Sequence, residues 1–160
     1  MINPINEDEQ IREILSNSKI IAMVGVSSIK KELSTNIKRR PSTIVMKYMQ
    51  EFGYKVIPVN PFSAGEKVNG ETIVEKLNDI KIPVDIVDVF RPSKETPKIA
   101  EEAAAIETKV FWLQYGIEND EAKKIVESKN IFYVSNKCIK QEYQRLFLKM
   151  KPVFPVLLND

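Results

Sequence analysis

Apolar positions along the chain fall into two alternating patterns. Apolar runs occur at Ile20–Val26, Tyr54–Val59, Val84–Phe90, Val110–Leu113 and Ile131–Val134, the second interrupted by Lys55 and the third by Asp85 and Asp88. Each is short and is followed by serine, asparagine, arginine or glutamine, as strands buried on both faces read. Between them, apolar residues recur at helical spacing: Ile44, Val45, Tyr48, Met49 and Phe52 after Pro41, then Ala122, Ile125 and Val126 after Asn119, and Ile139, Tyr143, Leu146, Phe147 and Met150 near the end. Ser93 or Thr96 is expected to cap a helix running to Ile106, with Pro97 in its first turn, and a weak helix is expected near Val74–Leu77. Asn6 and Glu9 have capping-box spacing and open a short amphipathic helix on Ile11, Ile14 and Leu15.

Strands alternating with helices at this spacing require right-handed crossovers and a parallel sheet. The expected architecture is therefore α/β: a single doubly wound, Rossmann-like domain with a five-stranded parallel sheet and helices on both faces. Residues 1–18 are assigned to an N-terminal helix packing on the domain, 19–150 to the domain, and 151–160 to a tail that wraps its surface. No internal repeat or low-complexity segment interrupts it.

Composition narrows the chemistry. The chain has 160 residues, enough for one core, and a net charge of +2, too mild to imply a nucleic-acid partner. A single cysteine excludes an internal disulfide, the apolar runs are shorter than a membrane span, and Met1–Glu9 lacks signal-peptide character, so a cytoplasmic protein with no membrane partner is expected. There is no histidine, which removes the commonest general acid/base and a common zinc ligand. No catalytic set or metal site is read.

In such sheets ligands bind beyond the carboxyl ends of the strands, where strand order reverses beside the first strand. That position holds Gly25, Val26, Ser27 and Ser28, followed by Lys30, Lys31, Lys38, Arg39 and Arg40 and then by Pro41 and Ser42 at the start of a helix. Free amides at a helix start, with cations beside them, suit a phosphate. A solvated charged loop is the competing reading. The dinucleotide fingerprint is missing: its glycines are absent, and the second strand ends in Asn60 and Pro61 instead of an acid. A P-loop is absent too. Asp85 and Asp88, three apart on a strand, point to opposite faces, and Asp88 is expected to cap a turn or pair with a cation. Cys138 precedes a helix whose dipole would lower its pKa, although a quiet thiol is the commoner case. Trp112 reads as core.

The segments Met23–Ser27, Pro41–Ser42, Gly53–Pro61, Val84–Arg91, Val110–Gln114, Gly116–Ile117 and the stretch around Lys137 and Cys138, in this order, resemble the small CoA-binding domain proteins related to the N-terminal domain of the succinyl-CoA synthetase α subunit. The resemblance implies coenzyme A, or an acyl-CoA, as the ligand. Val26, Ser27 and Ser28 would wrap the pyrophosphate, and Asn60 and Pro61 would lie along the nucleotide. Phe90 and Arg91 would border the adenosine and its phosphate, with Val89 counted among the binding residues and Gln114 and Cys138 near the pantetheine arm. Read without the resemblance, Phe90 is equally a core aromatic, Arg91 a surface ion pair, and Asn60 a turn residue. The chain departs from the family in an apparent insertion at Ile29–Ile37, in Tyr143 where a histidine is usual, and in Lys137 where an arginine is usual. The phosphohistidine ligase chemistry of the synthetases is excluded. Three functions remain: a CoA-binding protein without chemistry of its own, an NAD(P)-binding oxidoreductase or redox sensor, and a ligand-free interaction subunit working as a homo-oligomer or with a partner enzyme.

Overall fold

A computed structural model describes residues 6–27 and 41–150. Its order is α1 (Glu7–Asn17), β1 (Ile20–Val24), α2 (Pro41–Glu51), β2 (Lys55–Val59), β3 (Lys67–Val68), β4 (Glu71–Thr72), β5 (Ile86–Val89), α3 (Thr96–Ala105), β6 (Val110–Leu113), α4 (Asp120–Glu127), β7 (Phe132–Val134) and α5 (Ile139–Phe147). The main sheet has five parallel strands in the order β2-β1-β5-β6-β7. The order reverses between β1 and β5, which is the switch point of a doubly wound fold. The alternation of apolar runs and helical spacing is thus realised as expected.

The pleat divides the core. Ile21, Met23, Ile86 and Trp112 face α1, α2 and α5, meeting Ile11, Met46, Met49 and Ile139. Ala22, Val24, Val87, Val89, Phe111 and Leu113 face α3 and α4, meeting Ile99, Ala103, Ala122 and Val126. Helix starts follow local chemistry: the Asn6 carboxamide accepts from the Glu9 amide at 2.8 Å, and that of Asn119 accepts from Ala122, also at 2.8 Å. α1 is tied to α5 by Arg145, bidentate on Asp8 at 2.8 and 2.9 Å, and by Arg12 donating to the Leu146 carbonyl at 2.7 Å.

Several elements differ from the sequence expectation. β1 stops at Val24, because Gly25 adopts φ +104° and turns the chain out of the sheet. Val74 is not helical: its amide donates to Pro58 and its carbonyl accepts from Asn60, laying it beside β2, and only a 3₁₀ turn at Leu77–Asp79 follows. Between them lies an unexpected hairpin of β3 and β4, closed by Asn69 (φ +48°) and Gly70 (φ +83°), the residue pair a two-residue turn requires. Neither Ser93 nor Thr96 caps α3 with its side chain; a 3₁₀ turn at Ser93–Glu95 leads in, and the Thr96 hydroxyl donates to the Ser93 carbonyl at 2.7 Å. Met150 lies past the end of α5 and is exposed. No described helix is long and apolar enough to cross a membrane.

Candidate functional site at the carboxyl edge of the sheet

The carboxyl ends of β1, β2, β5 and β6 meet in one rim built mainly from peptide groups. The Gly25 amide donates to the Val59 carbonyl at 2.8 Å and the Phe90 amide to the Val24 carbonyl at 2.9 Å, so the turn after β1 is tied to the ends of both neighbouring strands. Nothing larger than glycine fits at position 25. A Cβ there would sit 2.8 Å from the Phe90 carbonyl oxygen and 3.0 Å from Cδ of Arg91. The aliphatic stem of Arg91 therefore crosses the turn, while its guanidinium forms a fork with Glu95 at 3.0 Å through both Nε and Nη2. That fork holds the Glu95 carboxyl below its ordinary pKa.

Asn60 is buried at the end of β2. Its amide group donates to the Val26 carbonyl at 3.1 Å and its oxygen accepts from the Phe62 amide at 2.9 Å. It acts as a clamp that sets the Val26–Ser27 backbone, as well as the turn residue its place before Pro61 suggests. The Val26 side chain is in the core, leaving its peptide groups at the rim, and Ser27 is half-buried. Ser42 is buried in the first turn of α2, and Pro61 is exposed. Ser28, Arg40 and the cations between them lie outside the described residues, as does the 29–37 segment.

Val89 meets the rim through its backbone: the pleat turns its side chain into the core of the α3–α4 face, and its carbonyl accepts from the Gln114 amide at 3.3 Å. The expectation for Asp88 is corrected. Asp88 neither caps a turn nor meets a cation. It is wholly buried on the α2–α5 face between Met23 and Trp112, and neither carboxyl oxygen has a well-formed hydrogen bond among the described residues. Burial pushes its pKa well above the carboxylate range, and the Val89 amide, which favours the anion, does not overcome this.

Phe90 packs half-buried against the α2–α5 core, so it is a core aromatic with an edge at the rim. Gln114 is buried, and its side-chain oxygen accepts from the Ile139 amide at 3.1 Å, stapling β6 to the start of α5. The same staple is completed by the Trp112 indole donating to the Lys137 carbonyl at 2.7 Å. Cys138 stands at the α5 N-cap position. Burial pushes its thiol pKa up, and the amides of Gln141 and Lys140 with the Gln114 side chain pull the other way without reversing it. Burial thus opposes the lowering expected from the helix start. Tyr143 points away from the rim, stacked on Phe147 with centroids 4.8 Å apart. Among the described residues no cluster of acidic, cysteine or histidine side chains could hold a metal.

The rim can offer backbone amides, a glycine-lined approach and an arginine, and no carboxylate waits at the end of β2. Residues 19–144 match a family described as a CoA binding domain. An uncharacterized Bacillus subtilis (strain 168) protein, YneT, is 40% identical over 131 residues, covering 82% of this chain and 90% of that protein. A hypothetical protein from Pyrococcus horikoshii OT3 superposes with a TM-score of 0.79 at 38% identity, covering 91% of this chain and 97% of its own. A dinucleotide-forming acetyl-coenzyme A synthetase from Ca. Korarchaeum cryptofilum shares the fold at a TM-score of 0.61 and 21% identity, over 78% of this chain and 27% of that one.

Proposed function

Since the chain belongs to the CoA-binding domain family, we propose that it binds coenzyme A or an acyl-CoA at the carboxyl rim and performs no chemistry on it. The observation that carries this reading is the turn at Gly25: a left-handed glycine, pinned to β2 and β5, against which no Cβ fits. Such a turn lets the chain leave β1 tight against Phe90 and so sets the Val26 and Ser27 peptides at the rim, and Arg91 crosses the same turn with a planar fork suited to phosphate. The Val26 and Ser27 peptides would receive the pyrophosphate, with Ser28 and the cations up to Arg40 beside it. Phe90 and Arg91 would border the adenosine. Asn60 and Gln114 would act at one remove, Asn60 by holding the Val26 carbonyl and Gln114 by holding the start of α5 beside Cys138.

An NAD(P)-dependent reading is disfavoured by Asn60, a neutral amide turned inward where an acid gripping a ribose is needed. Calorimetry against CoA, dephospho-CoA, acetyl-CoA and NAD tests the proposal. CoA and acetyl-CoA should bind, NAD should not, and Arg91→Ala should weaken CoA by about 1–3 kcal/mol, the range of a charge-assisted hydrogen bond. Glu95→Gln frees the guanidinium and should leave CoA binding equal or tighter. Equal affinity for NAD and CoA would overturn the reading.

A further inference from the structure

Cys138, the single cysteine of the chain, is held in place at the carboxyl rim. It stands at the N-cap position of α5, where the Gln141 and Lys140 amides and the Gln114 side chain donate to its sulfur. Gln114 and Trp112 also fix the residues on either side of it, by bonds to the Ile139 amide at 3.1 Å and to the Lys137 carbonyl at 2.7 Å. Inward of this half-buried thiol lies a carboxyl with nothing to bond. Asp88, on β5 between Met23 and Trp112, is wholly buried, and neither of its side-chain oxygens has a well-formed hydrogen bond among the described residues. The Cys138 sulfur feels its charge, and the thiol packs on the same α2–α5 face. An orphaned acid in a core costs stability, and a cysteine that merely filled space would have no use for one.

The far end of a CoA whose pantetheine arm runs towards Gln114 and Cys138 is a thiol or, in oxidised CoA, a disulfide. From the fixed thiol and the orphaned acid beside it, and resting on the CoA binding proposed above, we infer that Cys138 is a covalent capture site for oxidised CoA. It exchanges with the symmetrical disulfide of CoA and keeps one CoA as a mixed disulfide. Asp88 releases its own proton to solvent and receives that of Cys138 as the sulfur attacks one sulfur of the ligand. The ligand's S–S bond breaks, the S–S bond between Cys138 and CoA forms, and the departing CoA thiolate takes a proton from solvent. The incoming disulfide is the only oxidant required. A bound ligand presents its sulfur at high local concentration, so a thiol that bulk reagents reach slowly still reacts. Once formed, the mixed disulfide can be undone only by expelling Cys138 or CoA. Burial and the neighbouring carboxyl make Cys138 a poor leaving group, which favours a persistent adduct. Capture is stoichiometric and adds no turnover to the binding function.

The test incubates the full chain with CoA disulfide at neutral pH, quenches in acid and follows the intact mass under denaturing conditions. The mass should rise by one CoA less two hydrogens, with one adduct per chain, and dithiothreitol should reverse it. Glutathione disulfide at the same concentration should react at least about tenfold more slowly, because it lacks the nucleotide that positions the sulfur. Excess reduced CoA should slow capture by competing for the rim. Asp88→Asn, nearly the same shape but unable to take the proton, should slow capture about a hundredfold, the lower end of what a positioned general base contributes. Calorimetry with reduced CoA on the unaltered chain separates the two levels. If reduced CoA binds, then absence of the adduct, equal rates with the two disulfides, or an unchanged rate in Asp88→Asn overturns the inference and leaves the binding reading standing. If reduced CoA does not bind, the binding reading falls and the inference with it.

Discussion

Gly25→Ala separates two costs that are usually confounded. At φ +104° any L-residue is strained, and left-handed backbone costs a non-glycine residue about 1–2 kcal/mol. The new methyl would also lie 2.8 Å from the Phe90 carbonyl oxygen and 3.2 Å from its carbon. These are backbone atoms that cannot retreat freely, since the Phe90 amide is bound to Val24 and the Gly25 amide to Val59. Overpacking of this kind costs a further ~1–3 kcal/mol. Gly53→Ala supplies the control: φ is +98°, and a Cβ there meets nothing within 4 Å. Urea unfolding followed by the fluorescence of Trp112, the single tryptophan and fully buried, should place Gly25→Ala about 1–3 kcal/mol below Gly53→Ala. Calorimetry should show CoA binding lost or weakened at least about tenfold in Gly25→Ala, because the clash falls between the turn and Arg91, and unchanged in Gly53→Ala. Stabilities equal within about 0.5 kcal/mol, the spread of inconsequential substitutions, together with equal CoA affinities would refute the reasoning.

Three further outcomes are expected. Asp88 keeps its proton in the folded protein but loses it on unfolding above about pH 4, so the folded state holds the extra proton and stability falls as pH rises from there, by up to about 1.4 kcal/mol per unit until the folded pKa is passed. Asp88→Asn removes that dependence; its stability relative to the parent should improve as pH rises from about 4, and a constant difference would contradict the burial argument. Tyr54 donates its hydroxyl to the Leu15 carbonyl at 2.5 Å in a buried position, so Tyr54→Phe should cost about 1–3 kcal/mol in thermal unfolding by orphaning that carbonyl. Spectroscopic titration of the parent should find one tyrosine ionising only near pH 12, held there by burial and by Tyr143. Cys138 should alkylate at neutral pH at least about tenfold more slowly than free cysteine, since its thiol is both part-buried and raised in pKa; labelling at the free rate would mean that the α5 N-terminus activates it after all.

What could be read from the chain, and what could not, divides according to the range of the forces involved. The strands were legible because a sheet buried on both faces leaves an apolar run that no other pattern interrupts, and the Asn6 and Asn119 caps because a capping side chain bonds an amide only three residues on. The β3–β4 hairpin carried a local signal, Asn69-Gly70, but strands of two residues show no alternation to attach it to. Val74 is held beside β2 by bonds to Pro58 and Asn60, which outcompete its weak helical context. At the rim, residue type left the partners open. Asn60 entered through the family resemblance and Gln114 through its place at a strand end; their partners within the fold are Val26 and Ile139, 34 and 25 residues away, distances that only the topology closes. Period two set Asp88 apart from Asp85, whose carboxylate accepts from the Lys19 and Ile20 amides, but it could not reveal that Met23 and Trp112, not a cation, flank Asp88 in the sheet. The rim is thus made less of side chains that reach outward than of peptide groups held in place by side chains that reach inward. It follows that Asn60→Ala should act on the ligand through the Val26 carbonyl it releases. Asn60→Asp should act in the same way, because a carboxylate cannot donate to that carbonyl, and should not create the ribose grip that the dinucleotide pattern would lead one to expect.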